Sequence, residues 1–313
     1  MHNVFLDWDK LFREAERIEV PDLKCDNVIY TGMGASYIPG EMAKILEPPL
    51  DYLVYNGDPL RFKARGKFSL LAFSRSGDNV ETLIVTRKAF ELGADVICVS
   101  AGGKLANLCR EKGGRHVNLS MQARMSNGQD YPTRVWFPLL FTALVKILNT
   151  RSSGQYKISE LAEGVEEGKE RALNLAKRLV AKIRGRIPVF YGSLYFPVAI
   201  RFKQDLNETA KYPAFYGPIP ESNHNDLEAY VRAQNLQPFV IGDQDIDYVT
   251  LSVIKAEQII PTGSTPLKNV AYLVLLSGLT SLLLAEEDGL TEEEAFSDSN
   301  LKIARKLANL ILK

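Results

Sequence analysis

Two short loops carry the first legible chemistry in this chain. GMGAS runs from Gly32 to Ser36, between an apolar run suited to a strand and a stretch with helical periodicity. Glycine at such a turn lets the backbone approach an anion, and the first turn of the following helix offers N–H groups that have no partner inside the helix. Gly34, Ala35 and Ser36 are the candidate donors there. SRSGDNVETL, from Ser74 to Leu83, repeats the arrangement with Ser74, Ser76 and Asn79 able to bond phosphate oxygens. Each loop taken singly has a competing use, because a tight strand-to-helix turn needs glycine for backbone reasons and Ser76, Asp78 or Asn79 can cap the helix that follows. Two such loops at the carboxyl ends of parallel strands converge, which favours phosphate. Neither has the lysine of a P-loop or the full GxGxxG spacing, so a nucleotide is disfavoured.

The elements that must position these loops are visible as alternating patterns. Asn27–Tyr30, Tyr52–Tyr55, Ser69–Phe73 and Asp95–Val99 read as strands. Between them Ile38–Leu46, Asn79–Leu92 and Lys104–Lys112 have apolar residues at three- and four-residue intervals. This alternation predicts a parallel sheet with helices on both faces, closed by a helix over Arg134–Leu148. The polar Thr150–Gly154 stretch marks a boundary, giving expected domains of 1–152 and 153–313. A charged helix over Ile158–Ile183 then leads into a strand at Ile187–Tyr191, a helix over Pro197–Asn207, strands near Ala214 and Phe239, and long C-terminal helices. Thr291 and Glu294 form a capping-box signal for the last of these. DNVIYTGMGAS from Asp26 and RIPVFYGSLYF from Arg186 are weakly alike, which suggests an internal duplication.

The paired loops resemble the sugar isomerase (SIS) domain, whose loops read like GxGxS and SxSGxTxET. The match carries across Ser36, Ser74, Ser76 and Thr82 and departs at Asn79, where the family commonly has threonine. NETAKYPAFYGPIPESNHND, from Asn207 to Asp226, resembles the ENxAKxPA and ELNHNE elements of the archaeal-type bifunctional phosphoglucose/phosphomannose isomerases. With a YPTR segment ending at Arg134, the resemblance spans most of the chain in the same order. It implies two α/β SIS-type αβα sandwich domains with parallel sheets, with phosphate bound by the first and proton transfer supplied mainly by the second. In that family the first element's glutamate is the base and the second element's histidine assists ring opening, which map onto Glu208 and His224. The arginine maps onto Arg134, and a C-terminal lysine that reaches the substrate maps onto Lys302, with Lys306 as competitor.

These assignments suit an aldose–ketose shift of glucose 6-phosphate, and of mannose 6-phosphate, with fructose 6-phosphate. A carboxylate can move the proton between adjacent carbons, a guanidinium can stabilise the enediolate, and an imidazole can open the ring. No cofactor or metal is expected. The family also implies a homodimer with His224 contributed across the interface. EEEAFSDSN departs from the family's DPTP-like stretch, whose threonine is tied to use of mannose 6-phosphate. Competing readings are an isomerase of another sugar or amino-sugar phosphate, and a non-catalytic sugar-phosphate sensor. A sensor has no reason to keep Glu208, His224 and Arg134 together.

Composition bounds the rest. Lys plus Arg and Asp plus Glu both number 38, so no basic field draws nucleic acid or an anionic membrane. Cys25, Cys98 and Cys109 have neither disulfide-framework nor zinc spacing, which points to a reducing interior. Acidic residues within the first ten and the lack of an apolar leader pattern give an expected cytoplasmic location. Val270–Ala285 reads as a buried helix, His2 and His116 as structural, and Trp8 and Trp136 as core or interface.

Overall fold

The computed structural model describes residues 4–152 and 154–311; His2 lies outside them. Its strands are β1 (Asn27–Thr31), β2 (Asp51–Tyr55), β3 (Ser69–Phe73), β4 (Asp95–Ser100), β5 (Arg115–Asn118), β6 (Ile187–Gly192), β7 (Phe215–Pro218), β8 (Leu236–Ile241) and β9 (Glu257–Ile259). The helices are α1 (Trp8–Ala15), α2 (Ile38–Ala43), α3 (Val80–Glu91), α4 (Gly103–Glu111), α5 (Phe137–Asn149), α6 (Glu160–Ile183), α7 (Phe196–Glu208), α8 (Asp226–Ala229), α9 (Asp245–Val253), α10 (Pro266–Glu287), α11 (Glu292–Ala295) and α12 (Ser299–Ile311).

The chain forms two compact units, each built on one fully parallel sheet, ordered β2-β1-β3-β4-β5 and β7-β6-β8-β9. The central strands carry near-continuous apolar runs because helices cover both faces; every residue of β3 is buried. In the first sheet the chain lays β2 on one side of β1 and β3 on the other. The crevice between the carboxyl ends of β1 and β3 is therefore the topological switch point, where α/β sheets bind ligands. The alike segments at Asp26 and Arg186 form β1 and β6, which hold the same position in their sheets.

The units do not follow the expected 1–152 and 153–313 division. One comprises Lys10–Ser159 with the segment from Asp298 onward, and the other Glu160–Ser297 with the segment ending at Asp9. The N-terminal segment joins the second unit because its aromatic residues find partners far along the chain. The Phe5 ring stacks edge-on to Trp8 and lies 6.5 Å from Phe296, filling the space beside Gly278, where a Cβ would come within 2.6 Å of it. The α10 helix, long and apolar enough to cross a membrane by composition, is instead the core helix of this unit, buried along most of its length. It packs on α6 through Gly164 and Gly168, whose missing side chains admit the Lys268 backbone and the Tyr272 ring.

Two local expectations differ from the structure, and two strands have no counterpart in the sequence patterns. The Thr291/Glu294 capping box forms both bonds, at 2.8 and 3.3 Å, but opens the four-residue α11, not the last helix. The stretch Ile38–Leu46 breaks after Ala43 into a 3-10 turn that stops where Glu47 takes a left-handed φ of 45°. The edge strands β5 and β9, four and three residues long, have too few positions to show alternation.

His116 is structural, as expected: its Nε2 lies 2.8 Å from the Ser100 Oγ across β5 and β4. Burial lowers its pKa below the ordinary histidine value. The unfolded chain therefore protonates first, and this residue's contribution to stability falls as pH drops through about 6.5, the unfolded value. In urea titrations His116→Gln should lose less stability than wild type between pH 7.5 and 5; equal slopes would contradict the assignment.

Candidate functional site

The two loops leave the carboxyl ends of β1 and β3, which are paired with Thr31 opposite Ala72. In the first, Gly34 adopts φ +56°, a conformation that side chains disfavour, and Ser36 N–H donates to the Met33 carbonyl at 3.1 Å. The Ser36 Oγ accepts the Arg75 N–H of the second loop at 3.3 Å and so ties the loops together. In the second, Gly77 has φ +73° and packs so tightly that a Cβ would stand 1.9 Å from the Gly102 carbonyl oxygen. Further backbone bonds from Ala101 to Arg75 and from Leu105 to Gly77, both 2.8 Å, lock this loop to the end of β4.

Between the loops is a cavity of about 290 Å³ lined by Ser36, Ser74, Ser76 and Asn79, with Arg75, Asp298 and Arg305 among the other residues. Four of the predicted phosphate ligands are thus brought together in one unit. Gly34 and Ala35 shape the turn without lining the cavity. Asn79 is the N-cap of α3: its Oδ1 accepts the Thr82 N–H at 2.8 Å and the Thr82 hydroxyl at 2.7 Å, while its Nδ2 donates to Glu81 Oε2 at 2.7 Å. Of the capping alternatives, Asn79 is the one the helix uses. Thr82, carried across with the loop motif, is buried beneath the cap and does not line the cavity.

Arg134 sits on the 3-10 turn Thr133–Trp136, 1% exposed, with its Nη1 3.2 Å from Asp298 Oδ1. Lys302 and Lys306 are exposed and absent from the cavity lining. The basic residue that α12 does place there is Arg305, three residues past Lys302. Arg75, in the middle of the second motif, also lines the cavity. Its guanidinium donates to the Tyr131 carbonyl at 2.8 Å and stands 4.9 Å over the Trp136 ring. Its Nε is buried and has no hydrogen-bond partner among the described residues. The sequence signal was available, since Arg75 is the sole cation in SRSGDNVETL. Trp136, 3% exposed, is the platform beneath this arginine, and Trp8 is fully buried.

Burial lowers the Arg75 pKa from its ordinary value, and the nearby Arg305 charge lowers it further, against opposing pulls from Asp130 and Asp298. Two guanidinium groups held near serine hydroxyls favour an anion between them. Arg305→Ala should weaken binding of inorganic phosphate by about tenfold, as expected for losing one charge-assisted bond, with a shallower salt dependence. Lys302→Ala and Lys306→Ala should stay within about twofold of wild type on the same footing. Calorimetry on the three variants decides between them.

Glu208 and His224 belong to the other unit. Glu208 is the half-buried last residue of α7, and its carbonyl accepts the Lys211 ammonium at 2.6 Å. His224 is exposed at the end of a 3-10 turn over Glu221–His224. The equivalent switch point of this unit, between β6 and β8, is filled by the chain itself. Asp247 Oδ1 accepts the Ser193 N–H at 3.1 Å and Oδ2 the Gln244 N–H at 3.1 Å. A buried carboxylate therefore takes backbone donors at the position corresponding to the open cavity of the first unit.

Two parallel-sheet units with a serine-lined cavity at the first switch point define a SIS-type α/β protein. The family described as the bacterial phospho-glucose isomerase C-terminal SIS domain matches residues 172–294. The chain is 36% identical over 94% of its length, and 94% of the relative's, to a D-glucosamine-6-phosphate 4-epimerase of Sulfolobus acidocaldarius. It is 28% identical over 83% of its length, and 84% of the relative's, to a bifunctional phosphoglucose/phosphomannose isomerase of Aquifex aeolicus. The fold matches the tagatose-6-phosphate ketose/aldose isomerase of Escherichia coli with a TM-score of 0.63 at 12% identity, covering 92% of this chain and 88% of that one. The chain belongs to the SIS-domain phosphoglucose/phosphomannose isomerase family, whose members here are isomerases and epimerases of sugar phosphates.

Proposed function

We propose that this protein inverts carbon four of a hexosamine 6-phosphate, interconverting glucosamine and galactosamine 6-phosphates, with Glu208 as the proton-transfer base. The observation that carries the reading is the 36% identity, over 94% of both chains, to a relative named for that activity, in a chain whose serine loops line a cavity of about 290 Å³. The chemistry follows from acidity. The proton on carbon four of the open-chain aldehyde is not activated by a carbonyl at carbon one. Enolisation at carbon two comes first: Glu208 removes that proton, the aldehyde oxygen takes the charge, and reprotonation at carbon one leaves an imine at carbon two. That is the same proton transfer that begins a 1,2-isomerisation, so one carboxylate serves both activities. His224 assists ring opening, and Arg134, buried outside the cavity lining, acts on the developing oxyanion only through its field, in a cytoplasmic homodimer where the neighbouring subunit supplies the histidine.

A second reading, interconversion of glucose 6-phosphate and fructose 6-phosphate, is favoured by the relatives named for it. One experiment separates the two. Glucosamine 6-phosphate and, separately, fructose 6-phosphate are incubated in heavy water with wild type and Glu208→Gln, following products and deuterium by NMR. Galactosamine 6-phosphate formed by wild type only, with deuterium at carbon two, supports the epimerase. Deuterium at carbons three and four marks migration of the carbonyl from carbon two to carbon three followed by enolisation towards carbon four, whereas protium at carbon four marks reversible cleavage of the bond between carbons three and four, which the imine at carbon two permits. Labelled glucose 6-phosphate from fructose 6-phosphate alone would replace the first reading by the second.

A further inference from the structure

Glucose 6-phosphate and glucosamine 6-phosphate differ at one group, the ammonium on carbon two, so a protein that prefers the amino sugar needs an acceptor of positive charge in the phosphate cavity. Three carboxylates line that cavity: Asp78, Glu81 and Asp298. Each of the first two gives one oxygen to the second loop and its neighbours. Asp78 Oδ1 accepts the Lys104 N–H at 3.1 Å and Glu81 Oε2 accepts the Asn79 amide at 2.7 Å. Asp298 differs from both in its setting. It precedes α12, outside the loops, and its Oδ1 is held by Arg134 Nη1 at 3.2 Å. The Arg134 side chain is 1% exposed and that of Asp298 20%, so a rigid buried guanidinium fixes one oxygen of a carboxylate that still reaches the cavity. Among the described residues Asp298 Oδ2 has no hydrogen-bond partner.

The charges of the cavity then match a hexosamine phosphate at both ends. Serine hydroxyls, backbone amides, Arg75 and Arg305 suit the phosphate, and the open oxygen of Asp298 suits an ammonium. Resting on the hexosamine reading above, we propose that Asp298 is the residue that selects a 2-amino sugar phosphate over the 2-hydroxy sugar phosphate, its Oδ2 accepting a hydrogen bond from the substrate ammonium while Arg134 holds its Oδ1. The nearest sequence signal is the single carboxylate of the Ser297-Asp-Ser299 stretch, which only the return of α12 to the first sheet's unit brings to the cavity.

The test is a set of affinities that needs no turnover. Glucosamine 6-phosphate, glucose 6-phosphate and N-acetylglucosamine 6-phosphate are titrated by calorimetry into wild type, Asp298→Asn and Asp298→Glu. The acetylated sugar keeps the nitrogen and removes the charge. Wild type is expected to bind glucosamine 6-phosphate about tenfold or more tightly than either neutral analogue. Asp298→Asn, whose amide oxygen can still accept from Arg134, should lose that preference while holding glucose 6-phosphate within about twofold, and Asp298→Glu should keep part of it. A wild type without preference, an Asp298→Asn variant that retains it, or an equal loss for all three sugars would overturn the proposal; the last would make Asp298 a support for Arg134. If the preference depends on Asp298 but galactosamine 6-phosphate never forms, the epimerase reading fails and the amine selection stands.

Discussion

Glu208→Gln should lower kcat/KM for the sugar phosphate by roughly a thousandfold, the usual scale for removing a general base. Glutamine keeps the size and shape of the side chain and removes its basicity. Glu208 ends α7, whose length is set by packing of its apolar face, with Val198, Phe202 and Leu206 buried. The substitution therefore spares the helix. Glu208 is not among the residues that line the serine cavity, so phosphate affinity should stay within about twofold. The signature is a fall in kcat with little change in KM, together with loss of solvent deuterium incorporation at carbon two. A variant that still exchanges that proton at the wild-type rate would move the base to another carboxylate.

The second large effect concerns stability. Within the two turns before Glu208, Arg201 Nε and Asp205 Oδ2 stand 2.7 Å apart with side chains at 0% and 1% exposure, and Ser277 Oγ of α10 donates to the same oxygen at 2.8 Å. Arg201→Met keeps the apolar stem and removes the guanidinium, which leaves the Asp205 carboxylate buried without its counter-charge. Breaking a buried pair in this way costs about 3–5 kcal/mol, because the remaining charge is desolvated in a low-dielectric interior. Arg201→Met with Asp205→Leu removes both charges and should recover most of that loss. Urea unfolding of wild type, single and double variants gives the comparison. A single variant within about 1 kcal/mol of wild type would show that the pair is solvated in solution.

The sequence was informative where a signal is local and repeated. The strands β1, β3 and β4, the helix α3 and the long helices announce themselves because a parallel sheet buried on both faces demands unbroken apolar runs, and a helix repeats its apolar positions every three to four residues. The loops were legible because a glycine-bearing turn between strand and helix has few substitutes. Legibility failed where elements are short, as in β5 and β9, or where one residue has two possible uses. Asn79 is such a case: its composition fits both a phosphate donor and a cap, and the geometry shows that its carbonyl oxygen is taken by the cap.

By itself the sequence determined the class of fold, the phosphate loops at Gly32–Ser36 and Ser74–Asn79, and the family signature around Glu208, since each is encoded within about twenty consecutive residues. Only the tertiary structure decided that α12 returns to the first sheet's unit while the N-terminal residues join the second, and so that Arg305, not Lys302, faces the cavity and that Asp298 meets Arg134. The return of α12 is tied down by an ion pair between residues 164 positions apart, Arg134 and Asp298. Complementarity of packed surfaces at that distance leaves no periodic mark along the chain, because it is a property of two segments together and of neither alone.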